Sequence, residues 1–209
     1  MIPATEALQR LKEGNKRFVA GHISHESLLG RAHSQELVSG QKPFAIVLGC
    51  SDSRVPAEIV FDQGLGDLFV IRVAGNIVAP SQVGSVEFAA ARFHSRLVVV
   101  LGHSQCGAIE ATLEWLQGSA DSHSRNIQSI VDRIRPSVEG LLSTELRHDP
   151  PALLREAMRE NVRAAVNQLK HGSDILEGLI EHHELSVVGA EYSLDTGQVE
   201  FFHGLPEGD

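Results

Sequence analysis

FAIVLGCSDSR, residues 44–54, decides how this chain is read. Its first five residues are an apolar run of strand type that ends at Gly49 and delivers a thiol, Cys50, a carboxylate, Asp52, and a guanidinium, Arg54. In an open parallel sheet, ligands bind in the crevice at the carboxyl ends of the strands, so a buried strand ending in reactive side chains usually marks a site. The device recurs: LVVVL, residues 97–101, runs into Gly102, His103, Ser104, Gln105 and Cys106. Between the two, DLFVIRV at 67–73 reads as a third core strand that enters an Ala74-Gly75-Asn76 loop. Residues 81–94 carry Val83, Val86, Ala90 and Phe93 at helical spacing. Strand, helix, strand, helix, strand at these intervals predicts right-handed crossovers and an α/β fold, a mostly parallel central β-sheet flanked by helices.

Outward from that core, Pro3 followed by Ala7, Leu8, Leu11, Phe18 and Val19 predicts an amphipathic helix over 2–19. A polar stretch, 21–42, separates it from the first strand, so that 1–42 reads as an N-terminal helical arm on an α/β core of 43–209. Pro56 opens a short helix over 55–60, and further helices are predicted over 107–116, 127–142, 151–169 and 173–183, with a polar surface loop at 118–126. A late strand over 185–194, a turn at Asp195-Thr196-Gly197 and an edge strand over 198–203 complete the sheet. With no repeat, low-complexity tract or linker, the expectation is a single domain over 1–209.

Bulk properties exclude several classes. A chain of 209 residues, 42% hydrophobic and 22% charged, has the composition of one soluble domain rather than of a disordered or fibrous protein. Its apolar runs fall far short of the roughly 18 residues a membrane span needs, and residues 1–20 lack a signal-peptide apolar region, so a cytoplasmic location is expected. A net charge of -9 without clustered Lys and Arg argues against nucleic acid, leaving a small molecule or protein as partner. Two cysteines are too few for a disulfide scaffold.

The chemistry lies at the two strand ends. Cys50, His103 and Cys106 form a set that suits zinc, which takes thiolate at about 2.3 Å and imidazole at about 2.0 to 2.1 Å. With no third cysteine in the chain, one coordination position remains for water or a carboxylate, the pattern of a catalytic rather than a structural site. A bidentate pair with Arg54, which lies on the same side if the segment is extended, would hold Asp52 ionised and aimed. Such a carboxylate can accept a hydrogen bond from zinc-bound hydroxide and so point its lone pair at an electrophile. Gly107 would let backbone approach whatever the Cys106 thiolate binds. The plainer alternatives are a loop ion pair beside a core cysteine, or a disulfide between Cys50 and Cys106. The remaining histidines, among them His22, His25, His33, His94, His123, His148, His182 and His183, lack partners at ligand spacing.

At these residues the chain resembles the β-class carbonic anhydrases. Their Cys-x-Asp-x-Arg is matched by residues 50–54 and their His-x-x-Cys by 103–106, and the likeness runs on through SDSRVPAE, FVIRVAGN, SVEFAAA, VLGHSQCGA and GAEYSLDTG. The resemblance implies one zinc per chain on Cys50, His103 and Cys106, an Asp52-Arg54 dyad, reversible hydration of carbon dioxide to bicarbonate, and a homodimer or dimer of dimers. It further implies Gln41, Phe69 and Phe88 as substrate-binding residues, Phe88 standing where the plant-like members carry tyrosine. Arg72 and Tyr192 resemble the bicarbonate-regulated version of the site, but Val47 stands where that version carries tryptophan, so an open site is expected. Asp52 is expected to reach zinc only in a closed state.

Two thiolates and a neutral imidazole cancel the charge of zinc, so bound water should be less acidic than at a three-histidine site, where its pKa is about 7. Hydration should therefore rise with pH above neutrality. The competing readings are a carbon disulfide or carbonyl sulfide hydrolase on the same centre, and a non-catalytic thiol redox or metal-binding protein.

Overall fold

The computed structural model describes residues 2–23, 35–119 and 124–206, with side chains of the second stretch described from residue 37. Five strands, β1 (Ala45–Gly49), β2 (Leu68–Arg72), β3 (Leu97–His103), β4 (Ser186–Tyr192) and β5 (Val199–His203), form one sheet in the order β2-β1-β3-β4-β5. The first four run parallel and β5 is antiparallel to β4 at the edge, as the sequence predicts. The helices are α1 (Ala4–Val19), α2 (Gln35–Ser39), α3 (Ala57–Val60), α4 (Pro80–Phe93), α5 (Gly107–Leu116), α6 (Arg125–Val138), α7 (Pro150–His171) and α8 (Asp174–Glu181). Among the described residues no helix is long and apolar enough to cross a membrane.

Every residue of β1 and β3 is buried. A parallel strand covered by helices on both faces must be apolar on both, which is why AIVLG and LVVVL read as unbroken hydrophobic runs. Alternation along the strand then divides the core. Ile46, Leu48, Val98 and Val100 pack with Val86 of α4, Ile109 of α5, Ile134 of α6 and Met158 and Val162 of α7. Ala45, Val47, Val99 and Leu101 face the other way, onto Leu8 and Leu11 of α1 and Val60 and Phe61 beside α3. The chain leaves β1 first toward β2 on one side and then crosses to β3 on the other, so the crevice between the carboxyl ends of β1 and β3 is the topological switch point.

Sequence alone does not say whether the N-terminal helix packs on its own core or elsewhere; in the structure it packs on its own sheet. Gly14 lies so close to α3 that a Cβ there would stand 1.8 Å from the Phe61 carbonyl oxygen. Asn15, buried, donates from Nδ2 to the carbonyls of Val60 (3.1 Å) and Gly197 (2.9 Å) and accepts the Val199 N–H at Oδ1 (2.8 Å). Asn15→Ala strands three backbone groups at once. At about 1 kcal/mol or more for each lost partner, the unfolding midpoint should fall by about 5 to 10 °C. An unchanged midpoint would show that these bonds do not fasten α1.

Most boundaries fall within two residues of the sequence reading, and the largest difference is in the helix expected over 127–142. The helix expected over 127–142 starts earlier, with the Ser124 side chain accepting the Ile127 N–H, and ends at Val138 before a 3-10 turn over Glu139–Ser143. Pro136, which has no N–H to donate one turn back, lies within the helix and not at its end. Strand β3 runs two residues past Leu101, because β4 extends to pair Gly102 with Glu191 and His103 with Tyr192. Much of the polar stretch 21–42, with His25 and His33, and part of the loop 118–126, with His123, lie outside the described residues.

Candidate metal centre

Residues 50–54 leave β1 as a turn rather than an extended segment, closed by the Val55 N–H on the Asp52 carbonyl (3.1 Å). The turn brings Arg54 back onto Asp52. Its backbone N–H and Nε both donate to Oδ1 (2.9 Å each), and Nη2 donates to Oδ2 (2.7 Å) and to the Gln105 carbonyl (3.3 Å). Chiefly through the Arg54 side chain, and against the effect of burial, the Asp52 carboxyl is held well below the usual carboxylate range. From the next strand Arg72 braces the same turn, Nε to the Cys50 carbonyl (3.1 Å) and Nη2 to the Asp52 carbonyl (2.6 Å).

On the far side of the crevice His103, the last residue of β3, is wholly buried. Its Nδ1 lies 2.9 Å from the Ser104 carbonyl oxygen. A carbonyl can only accept, so Nδ1 carries the proton and Nε2 presents a bare lone pair. Ser104 is itself fixed, its N–H donating to the Tyr192 carbonyl and its hydroxyl accepting the Leu194 N–H (2.9 Å each). Cys106, also buried, is the N-cap residue of α5, where N–H groups and the helix dipole favour a thiolate.

Cys50, His103 and Cys106 each bring one ligand atom to within 4.8 Å of the other two. Both cysteines are free thiols. The Cys50 thiol is pulled down to about 4, mainly by a hydrogen bond from Cys106; burial opposes this, and the N–H groups of Asp52 and Gly75 add to it. Cys106 moves the other way, because it donates to Cys50 and because it is buried. Two buried sulfurs so placed resist holding two negative charges, and a dication between them removes that resistance.

The donor set fits zinc on an observation independent of the sulfurs. Among the described residues only two buried side-chain nitrogens or oxygens lack a partner, His103 Nε2 and Asn76 Nδ2. The first belongs to the cluster. Buried polar atoms are nearly always satisfied, so an orphan lone pair beside two thiols marks a group that could hold a metal ion. Asp52 Oδ2 stands 3.9 Å from that nitrogen.

The other expected residues lie elsewhere in the chain. Gln41 is exposed ahead of β1, at the opposite end of a five-residue strand from Cys50, and lines a cavity of about 470 Å3 with Leu37, Lys42, Leu65 and Asp67. Phe69 pairs with Ile46 in the sheet, three residues and about 10 Å short of Arg72. It packs on Phe88 and Phe93, ring centroids 6.3 and 5.9 Å away, and Phe88 is half-exposed. Nothing lies within 4 Å of the position a Gly107 Cβ would take, so packing within this chain does not require glycine there. A cavity of about 660 Å3 opens from Ser104 and Gln105 between α5 and α7 and touches none of the three ligand residues.

Sequence reading missed the backbone support: the bonds from Arg72 and Ser104, and the Gly75 N–H donating to Cys50 Sγ at 3.4 Å. The available signal for the last was the position of Gly75 at a strand end.

Fold and site together define an α/β protein with a Cys-His-Cys group at its sheet switch point. The family profile described as carbonic anhydrase matches residues 45–199. The chain is 41% identical over 192 residues to "Carbonic anhydrase 2" of Mycobacterium tuberculosis, covering 92% of this chain and 89% of that one. It is 40% identical over 194 residues to a carbonic anhydrase of Mycolicibacterium smegmatis, covering 93% and 91%. Among solved structures, the β-carbonic anhydrase CafA of Aspergillus fumigatus superposes with a TM-score of 0.74 at 24% identity, over 96% of this chain and 91% of that one. Two tetrameric β-carbonic anhydrases of Sordaria macrospora are represented at a TM-score of 0.72 and 23% identity, over 94% and 97%. The chain belongs to the β-class carbonic anhydrases, and its activity is the hydration of carbon dioxide.

Proposed function

We propose that Cys50, His103 and Cys106 hold one zinc ion per chain, and that Asp52, clamped by Arg54, orients the nucleophile that attacks carbon dioxide. The carrying observation is the buried, partnerless His103 Nε2, with two thiols within 4.8 Å and the Asp52 carboxylate 3.9 Å away. Zinc held there would supply the chemistry of an acidified water at accessible pH, though less strongly than a three-imidazole site does. Asp52 is an acceptor: held ionised by Arg54, it takes the nucleophile's O–H hydrogen bond and leaves the oxygen lone pair directed at carbon. Arg54 fixes the carboxylate plane through its two side-chain bonds. In a closed state Asp52 would itself become the fourth ligand. That the relatives are carbonic anhydrases favours carbon dioxide over carbon disulfide or carbonyl sulfide as substrate.

We also propose a homodimer or dimer of dimers in the cytoplasm, with the whole of 1–209 as one domain. Gln41, Phe69 and Phe88 lie at the wrong end of β1 and β2 to reach the ligands of their own chain. As substrate-binding residues they would act on the centre of a second copy, and the half-exposed Phe88 is apolar surface that such a copy would cover. The tetrameric Sordaria proteins support assembly of this kind.

Stopped-flow hydration of carbon dioxide across about pH 6.5 to 9 tests the reading. The rate should rise toward alkaline pH and vanish on zinc removal. Because Arg54 holds the Asp52 proton off far below this window, Asp52 contributes nothing to the rise. A flat profile in zinc-loaded protein would overturn the assignment of the nucleophile.

A further inference from the structure

The loop beside the metal centre is held from behind by a residue far away in sequence. Gly75, in the 3-10 turn Ala74–Asn76 after β2, donates its N–H to Cys50 Sγ, while its carbonyl accepts Asn161 Nδ2 at 2.8 Å. Asn161 lies on α7 and is buried, in a stripe otherwise formed by Leu153, Ala157, Met158, Val162 and Ala165. An amide on an apolar stripe costs stability unless it is bonded, and this one is spent on a single loop carbonyl. Gly75 has φ +66°, and a Cβ there would stand 2.9 Å from Ile134 Cδ1 and 3.1 Å from Ala108 Cβ. Gly75 is thus pressed between α5 and α6 on one side and tied to α7 through its carbonyl, while its N–H, in the preceding peptide, is directed at the sulfur.

We propose that Asn161 is a positioning residue for the metal centre: by holding the Gly75 carbonyl it aims the Gly75 N–H at Cys50 Sγ, and so sets how strongly that thiolate donates to the metal. This rests on the reading of Cys50, His103 and Cys106 as zinc ligands. An N–H directed at a thiolate draws electron density from it. In a site whose two thiolates nearly cancel the charge of a dication, that withdrawal keeps the metal electrophilic. Outer partners of this kind are worth about 10- to 100-fold in metal affinity or activity.

Asn161→Leu keeps the volume close and removes the donor. In the Co(II)-loaded variant the sulfur-to-cobalt charge-transfer band should move to longer wavelength than in the Co(II)-loaded wild type. Zinc affinity, by competition with a chromophoric chelator, should weaken by about 10- to 100-fold, because the sulfur also loses the N–H that holds it oriented toward the ligand position. A folded variant with unchanged band and affinity overturns the proposal. The wild type provides a test that needs no variant: in 113Cd-loaded, 15N-labelled protein, scalar coupling between cadmium and the Gly75 amide proton is expected, and its absence also overturns the proposal. A wild-type chain that binds no zinc would overturn the ligand assignment along with it. Zinc bound at one per chain, with no response to Asn161, would overturn the positioning role alone.

Discussion

Asp52→Asn should retain one zinc per chain and lose about 10²- to 10⁴-fold in turnover, the range of a positioned acid-base group. The substitution is nearly isosteric, yet it cannot reproduce the bonds. Both carboxylate oxygens accept from Arg54, Oδ1 from the backbone N–H and Nε and Oδ2 from Nη2. Whichever way the carboxamide is turned, its NH2 faces a guanidinium or backbone donor, so the clamp opens and no ionised acceptor remains for the nucleophile. Arg54→Ala, which leaves the carboxylate charged but unheld, should fall between the variant and the wild type. The loss in Asp52→Asn should appear in kcat at unchanged zinc content, measured by stopped flow on metal-quantified protein. Turnover within a few-fold of wild type, with zinc bound, would remove Asp52 from the mechanism. The same bonds act on stability. The folded chain binds the Asp52 proton less tightly than the unfolded chain, so this group favours folding above about pH 4 and the contribution fades as pH falls further.

Where the sequence was sufficient, the controlling physics was local or periodic. AIVLG and LVVVL could be recognised because a parallel strand buried on both faces has no polar position to spare. Cys50 and the pair His103 and Cys106 follow directly from the ends of those two strands. Asp52 and Arg54 are legible as a pair from their spacing alone, although the turn that joins them is not the extended form that spacing first brings to mind. What stayed hidden depends on partners distant in the chain. The end of β3 is decided by how far β4 pairs with it, 89 residues later. Asn161 meets Gly75 across 86 residues, and its only sequence mark is that it interrupts an apolar stripe. The Gly75 and Arg72 bonds run to or from main-chain atoms, which any residue type supplies. The placement of Gln41 and Phe69 away from the ligands is a property of strand direction, since residues before or early in a strand lie at the opposite end from residues that follow it, and Phe88, on α4, follows Phe69 by packing on it.

Cys50→Ser should abolish both zinc binding at stoichiometric level and measurable hydration, with little change in the fold. Serine is slightly smaller than cysteine and its hydroxyl still accepts the Gly75 N–H, so neither the apolar packing around residue 50 nor that loop loses a partner. What is lost is an anionic ligand. Cysteine binds metal as thiolate, and the Cys50 thiol, held well below its usual range by the hydrogen bond from Cys106, gives up its proton far more readily than a serine hydroxyl. The remaining pair, His103 and Cys106, offers two ligands where zinc takes three or four. Affinity should therefore fall far more than the roughly 10- to 100-fold expected of an outer partner. Thermal unfolding separates loss of metal from loss of fold. A ligand that binds only the folded state raises stability by about 4 kcal/mol at a thousandfold excess over its Kd, so added zinc should raise the wild-type midpoint and leave that of Cys50→Ser unmoved. Metal-free wild type and Cys50→Ser should then melt alike. If Cys50→Ser instead retained one zinc per chain, the ion would be held by other residues, and the Cys50-His103-Cys106 assignment would fail. If neither protein bound zinc while the wild type oxidised reversibly between Cys50 and Cys106, the thiol redox reading would replace it.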